Sequence, residues 1–177
     1  MADNERVLVV HASERGSTKD IAEFIGARLR VHGAEVDVRH VKDVLDLAPY
    51  GAVVLGSAVH NRALLPGAEF FVLRNVDALH DRPVWLFSVG IGPSLRGPVG
   101  RLLRDKVPPK IAELLAVARP RDYRAFAGVV PRTGTPLLSR VLLWLCGGRP
   151  GDLRDWPAID AWAASVAEQL HLAGTSH

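Results

Sequence analysis

The chain has 177 residues, 48% hydrophobic and 23% charged, with 22 Lys and Arg against 19 Asp and Glu for a formal net charge of +3. That is the composition of a globular chain with room for one domain and a two-sided core, which excludes a disordered or fibrous protein. One cysteine, Cys146, leaves no disulfide framework and no cysteine metal cluster. No stretch reaches the roughly 20 apolar residues that span a bilayer, and no basic run interleaved with aromatics marks a nucleic-acid surface. The small basic excess favours an acidic small molecule or an anionic membrane surface as partner. The first residues, Met1 to Arg6, lack a basic start and a long apolar run, so no secretory signal is expected there, and a reducing cytoplasm suits the lone thiol.

Val7, Leu8, Val9 and Val10 form an apolar run that reads as a strand buried on both faces. From Thr18 the pattern changes, and Ile21, Ile25 and Leu29 recur at helical spacing, placing an apolar stripe along one side of a helix. Between them lies Ser13-Glu14-Arg15-Gly16-Ser17-Thr18. A hydroxyl-rich turn between a buried strand and a helix N-terminus suits a phosphate, because free backbone N–H groups and the positive end of the helix dipole face it. The same residue types also serve as ordinary helix caps. The turn is neither a nucleoside-triphosphate loop, lacking Gly-Lys-Ser/Thr, nor a Gly-x-Gly-x-x-Gly dinucleotide fingerprint.

Further along, His32-Gly33 reads as the stop of the first helix, with Gly33 in the left-handed conformation. Residues 34–41 alternate as an edge strand should, and 42–47 make at most a short amphipathic turn of helix. Residues 52–56 are a second buried strand, followed by a loop from Ser57 to Arg62. Pro66 and Gly67 introduce a helix whose inner face is expected to carry Phe70, Leu73 and either Val76 or Asp77. Residues 83–89 make a third buried strand that runs into the loop Ser88 to Ser94. A basic stretch follows over 95–120, helical over 111–118, then a strand over 123–130 and an irregular insert over 131–148. Asp155-Trp156-Pro157 opens the last helix with an acidic cap and Pro in its first turn, and Ile159, Ala163, Val166 and Leu170 make its buried stripe.

Apolar strands alternating with helices imply a parallel α/β sheet covered on both faces, with ligands beyond the carboxyl ends of the strands. The loops at Ser13–Thr18, Ser57–Arg62 and Ser88–Ser94 all follow strands and are expected to converge there. The loop Ser13-Glu14-Arg15-Gly16-Ser17-Thr18 resembles the Ser/Thr-x-x-Gly-x-Thr pattern of flavodoxin-type domains. Gly56-Ser57-Ala58-Val59-His60, and Gly147-Gly148-Arg149-Pro150 followed by Asp155-Trp156, are similar to the menaquinone-dependent protoporphyrinogen dehydrogenases, flavodoxin-like FMN enzymes of haem biosynthesis. The resemblance runs from Val7 to about Leu170. It implies a single flavodoxin-like domain over 1–177, a three-layer sandwich with a five-stranded parallel sheet in the order 2-1-3-4-5, and inserts at about 92–120 and 131–150.

It also implies FMN as cofactor, its phosphate held by Ser13, Gly16, Ser17 and Thr18. The isoalloxazine ring would be lined by Ser57, Ala58, Val59 and His60 on one side and by Ser88, Val89 and Gly90 on the other. Arg15 and Lys19 are charges that either serve the phosphate or stay solvated. The loops over the ring carry no Trp, Tyr or Phe, whereas electron-carrying flavodoxins usually shield the flavin with aromatics. An open ring suits a substrate lying on it, and the resemblance makes that substrate a porphyrinogen, with a quinone as acceptor. His60 is the candidate catalytic proton relay, imidazole being the side chain that exchanges protons near neutral pH; an incidental loop histidine is the alternative. Arg96, Arg101, Arg104 and Lys106 would meet the propionates or form the wet face of a helix.

Residues 137–145 would make a helix of roughly 13 Å, well short of a bilayer core of about 30 Å. They form either a packed core helix or an interfacial segment gripping the inner face of the cell membrane, with Arg132 and Arg140 toward anionic headgroups. Cys146 reads as a small buried hydrophobe. Two other classes stay open, a flavodoxin-like electron carrier and a non-catalytic flavin- or deazaflavin-binding domain. Oligomeric state is not legible in these residues.

Overall fold

Residue alternation along the central strands decides the architecture. In β1 (Arg6–Ala12), Val7 and Val9 point to one face and Leu8 and Val10 to the other, and all four are buried. The structure, a computed structural model, describes residues 6–13, 16–94, 106–130 and 151–174, with side chains as far as residue 170. Its elements are β1, α1 (Ser17–Val31), β2 (Glu35–His40), β3 (Ala52–His60), β4 (Ala63–Leu64), α2 (Pro66–Arg74), α3 (Val76–His80), β5 (Val84–Gly90), α4 (Pro109–Ala118), β6 (Asp122–Ala127), β7 (Val129–Val130), β8 (Gly151–Asp152) and α5 (Trp156–Gly174).

The five long strands pair in parallel in the order β2-β1-β3-β5-β6. Counted without the two-residue strands, this is 2-1-3-4-5, the expected order. On one face Ile21, Ile25 and Leu29 of α1 and Ile159, Ala163 and Val166 of α5 pack on Val54, Trp85 and Phe87. On the other, α2, α3 and α4 cover Leu8, Val53, Leu55 and Leu86 through Phe71, Val72, Leu79, Ile111 and Leu114. Buried polar tips find partners: the Trp85 indole donates to Gln169 Oε1 at 3.0 Å and the Trp162 indole to Asp122 Oδ2 at 2.7 Å. Gly33, at φ 92°, ends α1 as expected, and Asp155 caps α5 by accepting the Ala158 N–H at 3.1 Å.

Three expectations change. The inner face of α2 is Ala68, Phe71 and Val72, while Phe70 is 64% and Leu73 55% exposed. The helix breaks at Asn75 after nine residues and turns into α3, so the stripe to the core is set by 68, 71, 72 and 79. The loop expected from Ser57 is strand instead: β3 runs on to His60 and folds back on β4 through a two-residue turn, Asn61 and Arg62, both with positive φ. Two consecutive left-handed residues give the turn whose twist matches an antiparallel hairpin. Finally, the strand expected over 123–130 stops at Ala127. After Gly128 the chain leaves the sheet and Val129 and Val130 pair with Asp152 and Gly151, so the ends of the 131–150 insert are tied by a short ladder. Residues 95–105 and 131–150, with the basic side chains Arg96, Arg101 and Arg104, the apolar run 137–145, Cys146 and Gly147-Gly148, lie outside the described residues.

Candidate functional site

The parallel register brings the expected loops to one end of the sheet. Ala12, Ser57, Ser88 and Ala125 stand opposite one another across β1, β3, β5 and β6. At β1 the chain leaves the sheet at Ser13 and re-enters regular structure at Gly16, whose φ of 92° is a conformation that favours glycine. Ser13 Oγ accepts the Gly16 N–H at 3.0 Å, which fixes the curl of the loop. Glu14 and Arg15 lie outside the described residues.

The N-cap residue of α1 is Gly16, which has no side chain to cap the helix. Its first-turn N–H groups have no intrahelical acceptor by the geometry of any helix, and they carry the positive end of the dipole. Thr18 adds a hydroxyl that is fully buried and, among the described residues, without a partner. A buried hydroxyl left unpaired costs about 1–3 kcal/mol, so its place here calls for an acceptor. Ser17 is half-buried, and its Oγ lies 3.4 Å from the point a Cβ on Gly128 would occupy; the end of β6 thus closes on the loop. The carboxylate of Asp20 in this first turn would repel an anion, but Arg154 pairs with it at 2.8 Å. The donors therefore fit a phosphate group. Lys19 is exposed and paired with Glu23 at 3.6 Å, a contact of little energetic weight at the surface.

The remaining predicted residues divide into supports and lining. Ser57 is fully buried; its hydroxyl donates to the Ala58 carbonyl at 2.9 Å and accepts the Leu65 N–H at 3.0 Å, locking the exit of the hairpin. The Ser88 and Tyr123 hydroxyls pair at 2.7 Å beneath the sheet end, and burial pushes the Tyr123 phenol above its ordinary value. Both serines are thus occupied within the protein. Ala58 and Val59 are half-buried, Val89 is buried, and Gly90 approaches Val59 so closely that a Cβ there would lie 3.2 Å from Val59 Cβ. His60 projects at the exposed tip of β3, beside the strained turn residue Arg62 at φ 62°.

Three site residues, His11, His40 and Arg154, escape sequence reasoning. His11 is buried at the end of β1 and its ring meets that of His40 edge-on at 5.3 Å; a polar residue closing an apolar strand was the available signal. Arg154 bridges Asp20 and Asp152, at 2.8 and 2.6 Å, and lies 4.7 Å over the Trp156 ring. Those bonds hold the Asp152 carboxyl below and the Arg154 guanidinium above their ordinary values. One side chain thereby joins α1, the base of the insert and the start of α5, a role that no local motif announces.

A family model described as a flavodoxin domain matches residues 8–146. The chain belongs to the flavodoxin-domain family. No curated protein matches it in sequence. Among solved structures, this flavodoxin domain is similar to the rubredoxin oxygen:oxidoreductase of Desulfovibrio gigas, with TM-score 0.61 and 18% identity over 98% of this chain and 38% of that one. It is also similar to a flavodoxin from the domain Archaea, with TM-score 0.60 and 18% identity over 94% of this chain and 99% of that one. A flavo-di-iron protein of Thermotoga maritima has TM-score 0.57 and 17% identity over 94% of this chain and 36% of that one. The domain thus spans little more than a third of the two larger proteins and nearly all of the archaeal flavodoxin. At these identities the likeness is one of fold; flavodoxin-like proteins typically bind FMN.

Proposed function

We propose that this flavodoxin domain is an FMN-dependent oxidoreductase that works on a substrate stacked against an open flavin ring, and that the substrate is a porphyrinogen of the protoporphyrinogen IX type with a quinone as acceptor. The observation that carries the cofactor is the start of α1, whose N-cap Gly16 has no capping side chain, beside the buried Thr18 hydroxyl, unpartnered among the described residues. Ser13, Gly16, Ser17 and Thr18 would hold the phosphate, and Ala58, Val59, His60, Val89 and Gly90 would line the ring. FMN, when bound, supplies two-electron redox chemistry.

The chain's own part is to orient and to leave access. Ser57 and Ser88 stiffen the strand ends through their internal bonds. Among the described residues at these strand ends, half-buried Val59 and Gly90 offer small or aliphatic surface, and no Trp, Tyr or Phe stands among Ser57–Arg62 or Ser88–Ser94. His60 is exposed at the mouth, where an imidazole can take or give the proton that accompanies oxidation. The porphyrinogen assignment is supported by the sequence resemblance over Gly147-Gly148 and Asp155-Trp156, the quinone assignment rests on the same resemblance, and contact with the inner membrane face rests on the apolar run 137–145. Among the described residues no helix is long and apolar enough to cross a membrane.

A one-electron carrier is the second reading, favoured by the end-to-end match with the archaeal flavodoxin. Anaerobic mixing of the FMN-loaded protein with protoporphyrinogen separates the two. The substrate reading expects the flavin colour to bleach and a menaquinone analogue to restore it. A flavin that stays oxidised there, yet is reduced readily by a flavodoxin reductase, would put the carrier reading ahead.

A further inference from the structure

One edge of the sheet is β2, which pairs with β1 alone. In a parallel ladder the N–H and C=O of a residue turn to the same side, and the side alternates along the strand. The Arg6 carbonyl accepts the Gly51 N–H at 3.0 Å on the β3 side, so Val7, Val9 and His11 turn toward β2. Their register opposite Val36, Val38 and His40 leaves the β1 ladder to Glu35, Asp37 and Arg39. Val36, Val38 and His40 therefore turn their backbone groups outward. The bond from Arg30 Nη2 to the Val36 carbonyl at 2.6 Å, made from outside the ladder, agrees with this parity. Among the described residues neither backbone group of Val38 has a partner on that side.

The side chains of β2 divide between the two faces. Val36 and Val38 pack on α1 at Gly26, where a Cβ would lie 2.5 Å from Val38 Cγ2. Asp37 and Arg39 stand on the other face, 30% and 48% exposed, and reach each other within the chain only at 3.7 Å. Asp37 is held in place by the Tyr50 hydroxyl, which donates to it at 2.8 Å. A charged edge strand normally turns a second strand away. Here the order Asp-Val-Arg matters, because a twofold axis through Val38 reverses it. Two antiparallel copies then set Asp37 of each opposite Arg39 of the other.

Neighbouring registers lack this match. An axis through Arg39 opposes two guanidinium groups. An axis through Asp37 opposes two carboxylates and offers Arg39 only Glu35, which Arg6 already holds at 2.8 Å. Like charges directly opposite destabilise a strand pair. An axis between two residues sets outward backbone groups against inward ones and makes no bonds.

We propose that β2 is a self-association edge: two copies of this chain pair antiparallel through β2, about a twofold axis at Val38, into one continuous sheet. Each Val38 N–H donates to the Val38 carbonyl of the other copy. Each His40 N–H donates to the remaining lone pair of a Val36 carbonyl, and two Asp37–Arg39 pairs flank the axis. The contact is isologous and closes at two copies. It is independent of the cofactor reading.

Sedimentation equilibrium of the full chain over a range of concentrations tests this. A monomer–dimer equilibrium is expected. Arg39→Asp, at an exposed position, turns two attractions into two repulsions and should raise the dissociation constant about tenfold or more. Asp37→Arg should act likewise, and an equimolar mixture of the two variants should dimerise again, since every facing pair is then of opposite sign. The chain carrying both changes should also recover the dimer. Hydrogen exchange gives a second readout: the Val38 amide should be protected in the native dimer and exchange fast in Arg39→Asp. Asp37→Arg loses the Tyr50 bond; should it fail to fold, Arg39→Asp and the Val38 amide decide. A native protein still monomeric at about 1 mM overturns the inference. So does a dimer that Arg39→Asp leaves unchanged, because that dimer uses another surface.

Discussion

Single side chains at the sheet end carry more than their sequence types suggest. Ser57 and Ser88 read as lining residues from the sequence, yet each hydroxyl is satisfied inside the protein. The Ser88–Tyr123 pair makes a clear case. Replacing Tyr123 with Phe strands the Ser88 hydroxyl, and a loss of about 1–3 kcal/mol in a urea melt is expected. The phenol also has a pH signature. Burial raises its pKa in the folded state, so its contribution is complete below the unfolded value of about 10 and is lost as pH rises through the higher folded value. Tyr123→Phe should therefore flatten the alkaline limb of the stability profile; a limb as steep as in the native protein would mean that another group drives alkaline unfolding.

Elements are positioned by close contacts that only small residues permit. Gly56, in the middle of β3, faces the ring of Phe87, and a Cβ there would lie 2.1 Å from the ring's Cζ. Phe87 is fully buried among Phe126 and Trp162, so it has little room to move. Gly56→Ala is expected to cost at least about 1–3 kcal/mol, the usual penalty for overpacking, visible as a lowered melting temperature. An unchanged melt would show that the ring shifts freely. Such contacts explain which elements were legible in sequence. The stripe Ile21, Ile25 and Leu29 announced α1 because its period survives any detail of packing, and Asp155 with Pro157 announced the start of α5. The inner face of α2 was misread because Phe70 and Leu73 are apolar by type but turned to solvent, and the break at Asn75 carries no strong signal. The hairpin at Asn61 and Arg62 was hidden because Arg in a left-handed turn position is not a turn residue by composition.

At the scale of the molecule, strand order and loop chemistry agree. The parallel sheet and the convergence of three strand ends were readable from alternation, whereas the strand order 2-1-3-4-5 was implied by the resemblance to flavodoxin-type domains. Arg154 was not legible, since it joins Asp20, Asp152 and Trp156 across more than 130 residues of chain, a juxtaposition that only the folded topology creates. The pairing of His11 with His40 likewise needed the β1–β2 register. All of these converge on one claim, that the start of α1 is built to hold the phosphate of a flavin mononucleotide. Charge-assisted bonds are worth about 1.5–3 kcal/mol each, so two or more of them correspond to at least about a hundredfold in affinity. The most direct measurement is paired fluorescence titration of the flavin-free protein, and of its Ser13→Ala, Ser17→Ala, Thr18→Ala triple variant, with FMN and with riboflavin. FMN should bind the native protein at least about a hundredfold more tightly than riboflavin, and the triple variant should lose most of that margin while its riboflavin affinity stays unchanged. Equal affinities of the native protein for FMN and riboflavin would contradict the claim.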